Sequence, residues 1–194
     1  MLIDPNDPSR MYLGANNGGV WMTTNGGTTW RPLSDKQSSL SISSLAYDPT
    51  DTSNRTIVAG IGNVSNGIVG SFRSGRMIGL MRSVDGGTNW SELGGATLQN
   101  KSIIAVAARN NVILAASADP NDFLAAGALY RSNDTGASFN PVTGLAAGQV
   151  TALASDSANR NFFYAAVSAT TPTDRGIYTS DISGSTQCHC VGVT

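Results

Sequence analysis

One eight-residue stretch recurs along the chain. Ser83 to Trp90 reads S-V-D-G-G-T-N-W, Thr23 to Trp30 reads T-T-N-G-G-T-T-W, and Ser132 to Phe139 reads S-N-D-T-G-A-S-F. One template covers all three: Ser or Thr, any residue, Asp or Asn, any residue, Gly, any residue, a small polar residue, then Trp or Phe. A chain that copies one turn in this way is built from one supersecondary unit, and such units fold by stacking on one another. The template reads as a tight turn between two strands. Its Gly takes positive φ without a Cβ clash. Its acid or amide accepts backbone N–H bonds, as in an Asx turn. Its aromatic residue re-enters a strand and buries a large apolar face between units. Structural roles follow for Asn25, Gly27 and Trp30, for Asp85, Gly87 and Trp90, and for Asp134, Gly136 and Phe139. An acid held by turn hydrogen bonds is poorly placed for catalysis or metal ligation.

A matching strand precedes each turn: Gly19-Val20-Trp21, Gly79-Leu80-Met81 and Ala128-Leu129-Tyr130. Gly176-Ile177-Tyr178 is a fourth, followed by a degenerate turn from Thr179 to Gly184, with Ile182 in the acid's place. Upstream lie Met11-Tyr12-Leu13, Thr56-Ile57-Val58, Val112-Ile113-Leu114 and Phe162-Phe163-Tyr164, which repeat every 45 to 56 residues. Further upstream, Ile42 to Tyr47, Ser102 to Ala107 and Val150 to Ala154 alternate apolar and polar residues as half-buried strands do. The Asp-Pro openings at Asp4 and Asp48 mark turns between first and second strands. The reading is all-β: a β-propeller of four-stranded antiparallel blades, with three to four blades present. The blades are expected at about 1–35, 41–95, 102–143 and 149–187, followed by an irregular tail over 188–194. Blade one lacks most of its first strand. A closed ring uses about four to eight blades, so the expectation is an incomplete ring, a fragment, or an arc completed by another copy. Open strand edges at Ser41 to Tyr47 and beyond Gly176 are expected to favour self-association.

These turns resemble the Asp box, or BNR repeat, of sialidases, xyloglucan-degrading hydrolases, sortilin-type receptors and a photosystem assembly factor. The resemblance implies a propeller with the box joining the third and fourth strands, away from the ligand face, and an extracellular or periplasmic setting. It does not imply one activity, because the box occurs in enzymes and binding proteins alike. A sialidase would need an arginine cluster, an Arg-Ile-Pro segment and a Tyr/Glu pair. The segment is absent and Glu92 is the only glutamate. No catalytic residue carries over from the xyloglucan hydrolases.

Net charge is −1, with 13% charged residues, which gives nucleic acid or an anionic membrane no electrostatic footprint. No apolar run is long enough for a transmembrane helix, and Met1 to Asp4 does not read as a signal peptide. Cys188, His189 and Cys190 lack the further ligands a metal centre needs, so no metal or cofactor is expected.

Loops joining second to third strands should form the ligand face. Blade two carries the longest, Gly62 to Ile78, with Phe72, Arg73 and Arg76. Blade three offers Asp119, Asp122 and Phe123, and blade four Asp174 and Arg175. A glycosidase would draw paired carboxylates from such loops, and Asp119, Asp122 and Asp174 are the candidates. The plainer reading makes them solvated turn residues. The functional expectation is a binding or scaffold module for carbohydrate or protein. A glycoside hydrolase fragment is the alternative.

Overall fold

The computed structural model describes residues 1–62, 75–118, 127–143, 145, 148–158, 162–169, 171–184 and 186–189. These form four antiparallel four-stranded sheets in a propeller arrangement. Blade one holds β1 (Leu2–Ile3), β2 (Met11–Ala15), β3 (Gly19–Thr23) and β4 (Arg31–Pro32). Blade two holds β5 (Ile42–Tyr47), β6 (Ile57–Ile61), β7 (Leu80–Ser83) and β8 (Ser91–Leu93). Blade three holds β9 (Ser102–Arg109), β10 (Val112–Ala118), β11 (Ala128–Ser132) and β12 (Asn140–Pro141), and blade four β13 (Gln149–Ser155), β14 (Phe162–Ser168), β15 (Gly176–Asp181) and β16 (Thr186–His189). Each sheet keeps its strands in chain order. The only α-helix among the described residues is the single turn Gly95–Leu98.

Blade one's first strand is only Leu2–Ile3, paired with Tyr12 and Met11. One detail differs from the sequence reading. Cys188 and His189, expected in an irregular tail, lie in β16 opposite Tyr178 and Ile177. That pairing covers β15, so the strand beyond Gly176 is not a sheet edge.

Side chains alternate faces along each strand, and the register aligns the blades. Thr23, Ser83, Ser132 and Ser180 stand opposite Met11, Ile57, Ile113 and Phe163. From that alignment, Tyr12, Val58 and Leu114 are equivalent, as are Val20, Leu80 and Leu129. Both sets point to the following blade. Three buried clusters result, between blades one and two (with Tyr12, Val20, Ile57 and Met81), two and three (Val58, Leu80, Ile113 and Phe139), and three and four (Leu114, Leu129, Phe163 and Tyr178). No cluster among the described residues joins blade four to blade one. Each buried aliphatic side chain contributes about 1.5–3 kcal/mol.

Contact between blades is close enough to exclude a Cβ at some positions. One built on Gly14 would lie 2.4 Å from Ile42 Cγ2, and one on Gly60 3.0 Å from Ile103 Cγ2. Polar groups join the same seams. The fully buried Asp4 forms an ion pair with Arg10 and accepts a 2.9 Å bond from Asn54 Nδ2 of blade two. Burial pushes the Asp4 carboxyl up, but the Asn6 N–H and Arg10 outweigh it and hold it below its usual value. The buried Arg109 guanidinium donates to the Asp156 carbonyl of blade four.

Candidate ligand face

The repeated turn is a closed hydrogen-bond unit, and its centre is the hydroxyl of its first residue. Ser83 Oγ accepts from the N–H of Gly87 (2.8 Å) and of Asp85 (3.3 Å), and donates to Asp85 Oδ1 (2.8 Å). Asp85 then accepts from the N–H and side-chain amide of Asn89, at 2.9 and 2.7 Å. Thr23 and Ser132 repeat the arrangement around Asn25 and Asp134. The seventh residue adapts to the third: Asn25 Nδ2 donates to Thr29 Oγ1, whereas Asp134 accepts from Ser138 Oγ. Bonds from Asn89 hold the Asp85 carboxyl at about 2, and those from Ser138 hold Asp134 at about 2.

Two successive left-handed residues make each turn: Gly26 and Gly27, Gly86 and Gly87, and Thr135 and Gly136. Thr135, at φ 62°, adopts a conformation that β-branched residues avoid. The Trp30 and Trp90 indole N–H groups donate to the carbonyls of Gly27 and Gly87, so both rings stay half-buried over their own turns. Phe139, with no polar group to satisfy, is buried between blades two and three.

The turn glycine has a second role. A Cβ on Gly87 would lie 2.4 Å from Cδ1 of Leu33 in the preceding blade, and one on Gly136 2.6 Å from Cδ1 of Leu93. Each is the seat for a leucine that follows or ends the previous blade's fourth strand. Gly184 in the degenerate turn keeps φ 98°, with Asp181 Oδ1 accepting from the N–H groups of Ser183 and Gly184. The nearest atom to a Cβ there is Cζ of Arg131, at 3.9 Å. The Arg131 guanidinium donates to the Asp181 and Ile182 carbonyls. Without a leucine on that glycine, a cleft of about 40 Å³ remains, lined by Leu114, Leu129, Val142, Phe163 and Tyr178. It has room for a few waters at most.

Most described acids are occupied by turns. Asp4, Asp7, Asp48, Asp51, Asp85, Asp134, Asp156 and Asp181 each accept a backbone N–H from within four residues. Glu92 accepts from Ser38 Oγ.

At the opposite end of the sheets lie the loops between second and third strands and those between blades. Serines line the seam from blade one to blade three, with Ser39 and Ser41 buried and Ser43 half-buried. Ser41 Oγ lies 2.9 Å from Asn16 Oδ1 and 3.0 Å from the Gly62 carbonyl, and Ser43 Oγ donates to the Gly60 carbonyl (2.9 Å). The described ends of the long blade-two connection sit on this seam. A Cβ on Gly62 would meet the Ile103 carbonyl at 2.2 Å, and one on Gly75 would meet Ser39 Oγ at 3.0 Å. That connection therefore starts and finishes over the blade one–two–three junction.

Arg76 is exposed beside Gly75. In blade four, Asp174 ends a short 3-10 turn (Pro172–Asp174) and its carbonyl accepts from Tyr178 Oη at 3.0 Å. Arg175 Nε donates to the Ala169 carbonyl at 2.6 Å, closing its own loop. Arg76 and the Asp174–Arg175 pair thus share the loop end from two different blades. Phe72, Arg73, Asp119, Asp122 and Phe123 lie outside the described residues. Sequence reasoning missed the first-residue hydroxyl, although Thr23, Ser83, Ser132 and Ser180 recur at one template position.

No family model and no curated protein matches the chain. Solved structures do match in fold. An ancestral GH74 enzyme superposes with a TM-score of 0.63 at 21% identity, over 94% of this chain and 22% of that one. YCF48 from Cyanidioschyzon merolae gives 0.55 at 16% identity, over 100% of this chain and 56% of its own. An auxiliary nutrient binding protein from Bacteroides thetaiotaomicron gives 0.55 at 10% identity, over 93% and 37%. The chain thus spans between a fifth and just over half of these proteins' lengths, and the likeness is one of propeller fold.

Proposed function

We propose that this chain is a run of BNR-type blades, over residues 1–187, that serves as an extracytoplasmic binding or scaffold module. Its ligand face is the loop end, with the Gly62 to Ile78 connection as the main contact for a glycan or protein. One observation carries the reading: the acids of the repeat are held in turn hydrogen bonds at one end, while the one long connection rises from a serine seam at the other. The propellers it resembles include a nutrient binding protein and a YCF48 bound to D1 peptide, which supports a binding role. Arg73, Arg76 and Arg175 offer charge there, and Phe72 and Phe123 offer stacking surface.

A second reading, a portion of a glycoside hydrolase, is favoured by the GH74 likeness. It would place Asp119, Asp122 and Asp174 as the carboxylates. A glycan array that includes xyloglucan fragments, together with a peptide array, tests both readings. The binding reading expects a hit whose affinity falls at least tenfold when Gly62 to Ile78 is shortened to a tight turn. Unchanged affinity in a folded, shortened protein would sink it. Sugar release abolished by Asp119→Asn, Asp122→Asn or Asp174→Asn would favour the hydrolase.

A further inference from the structure

An asparagine followed by glycine is open to attack by its own chain. The glycine has no side chain to keep its backbone nitrogen from the asparagine side-chain carbon, and asparagine is among the thermolabile residues. Two such pairs lie among the described residues, Asn17-Gly18 and Asn25-Gly26. Asn66-Gly67 lies outside them.

The structure treats the two pairs differently. Asn25 is locked into its turn. Its Oδ1 accepts from Thr23 Oγ1 and from the Thr29 N–H, each at 2.9 Å, and its Nδ2 donates to Thr29 Oγ1 at 2.9 Å. The Gly26 N–H, whose nitrogen would have to attack, donates to the Ser9 carbonyl of another loop at 3.0 Å. Asn17 has none of this. It is exposed, at φ 63°, in the short loop between β2 and β3. No hydrogen bond holds its side chain among the described residues. The Gly18 N–H reaches only the Ala15 carbonyl of its own turn, at 3.2 Å. A Cβ on Gly18 would lie 2.9 Å from that of Ala15, so the turn itself calls for glycine there. Folding thus keeps in place the residue that makes the pair reactive.

The geometry points to Asn17-Gly18 as a site of self-modification, where the Asn17 amide becomes a carboxylate. Hydroxide removes the Gly18 N–H proton, and the nitrogen attacks Asn17 Cγ. A bond from Gly18 N to Cγ forms, the bond from Cγ to Nδ2 breaks, and the amide nitrogen leaves as ammonia. Water then opens the cyclic imide. Attack at Cγ gives aspartate, and attack at the main-chain carbonyl gives isoaspartate. The net change is amide plus water to carboxylate plus ammonia, with no oxidant or second reactant. The product adds a negative charge at the loop end, and its isoaspartate form lengthens the backbone beside Asn16. Asn16 Oδ1 lies 2.9 Å from Ser41 Oγ, which also reaches the Gly62 carbonyl at the root of the long connection. The site does not depend on what the loop end binds.

Peptide mapping by mass spectrometry on the 194-residue chain tests this, with Asn25 as the internal reference. The protein is held in mildly alkaline heavy-oxygen water, folded or in denaturing urea, so that each new carboxylate carries one labelled oxygen. In the folded chain Asn17 is expected to convert about a hundredfold faster than Asn25, the effect of three ordinary side-chain hydrogen bonds that Asn25 must break first. In urea the two should convert at similar rates. An Asn17 that stays an amide in the folded chain, over a period that converts it in urea, overturns the proposal. So does equal conversion of Asn17 and Asn25 in the folded chain.

Discussion

Removing the hydroxyl at the centre of a turn should cost more than removing its carboxylate. Ser83 is 1% exposed, and its Oγ is the acceptor for the buried Gly87 N–H at 2.8 Å. In Ser83→Ala that N–H has no acceptor and no access to water, which costs about 1–3 kcal/mol. The bond donated to the Asp85 carboxylate is lost as well, so the total is about 2–4 kcal/mol. Asp85→Ala differs because its main partners, the N–H and amide of Asn89, are exposed and rehydrate. Its cost should be about 1 kcal/mol. Urea denaturation followed by tryptophan fluorescence reads the difference, with Trp90 over the turn as a local reporter. With a slope of about 2 kcal/mol/M, the midpoint should fall by about 1–2 M for Ser83→Ala and about 0.5 M for Asp85→Ala. A Ser83→Ala midpoint equal to the wild type, or a larger fall for Asp85→Ala, would refute the assignment of the hydroxyl as the turn's centre.

Two further outcomes follow from the same geometry. Gly87→Ala and Gly27→Ala impose similar strain, at φ 87° and 93°, but only Gly87 carries a leucine from the preceding blade. Gly87→Ala should therefore be worse by about 1–3 kcal/mol, the cost of overpacking, and equal midpoints in urea would contradict the leucine seat. Asp85 and Asp134 have pKa values of about 2 in the folded chain, below that of an unfolded aspartate, so the folded state binds fewer protons. Their contribution should be complete above about pH 4 and decline as the pH falls through about 2. Thermal melts between those limits should be flatter for Asp85→Asn/Asp134→Asn, and an unchanged slope would argue against the depressed values.

The fold was legible because the repeat fixes register. Once Thr23, Ser83 and Ser132 are aligned, the strands before and after them fall into place, and Ser180 finds the fourth blade despite Ile182. Short and degenerate strands were less legible. Leu2–Ile3 is too short for alternation to show, and Thr186–His189 has no repeat signal because its turn has lost the acid. The template's final aromatic reads as core for Trp and Phe alike, and Phe139 and Trp90 do pack on interblade clusters. An indole N–H that donates to the glycine carbonyl leaves Trp30 and Trp90 half-buried over their turns, whereas Phe139 is buried.

Contacts between blades were beyond the sequence, because they depend on which residues meet across a seam. Gly87 looks like a turn glycine from its neighbours in sequence, and only Leu33 lying where its Cβ would be gives it a second constraint. The same limit applies to the ligand face. A repeat that uses its carboxylates to hold its own turns leaves few acids for chemistry, so whatever distinguishes this propeller must come from residues that break the repeat. The Gly62 to Ile78 connection does so by length, and the degenerate turn of blade four does so by sequence, with Arg131 bridging to its carbonyls where a leucine seat would otherwise be. The first departure faces the loop end, and the second leaves the interface of blades three and four less tightly packed than its neighbours.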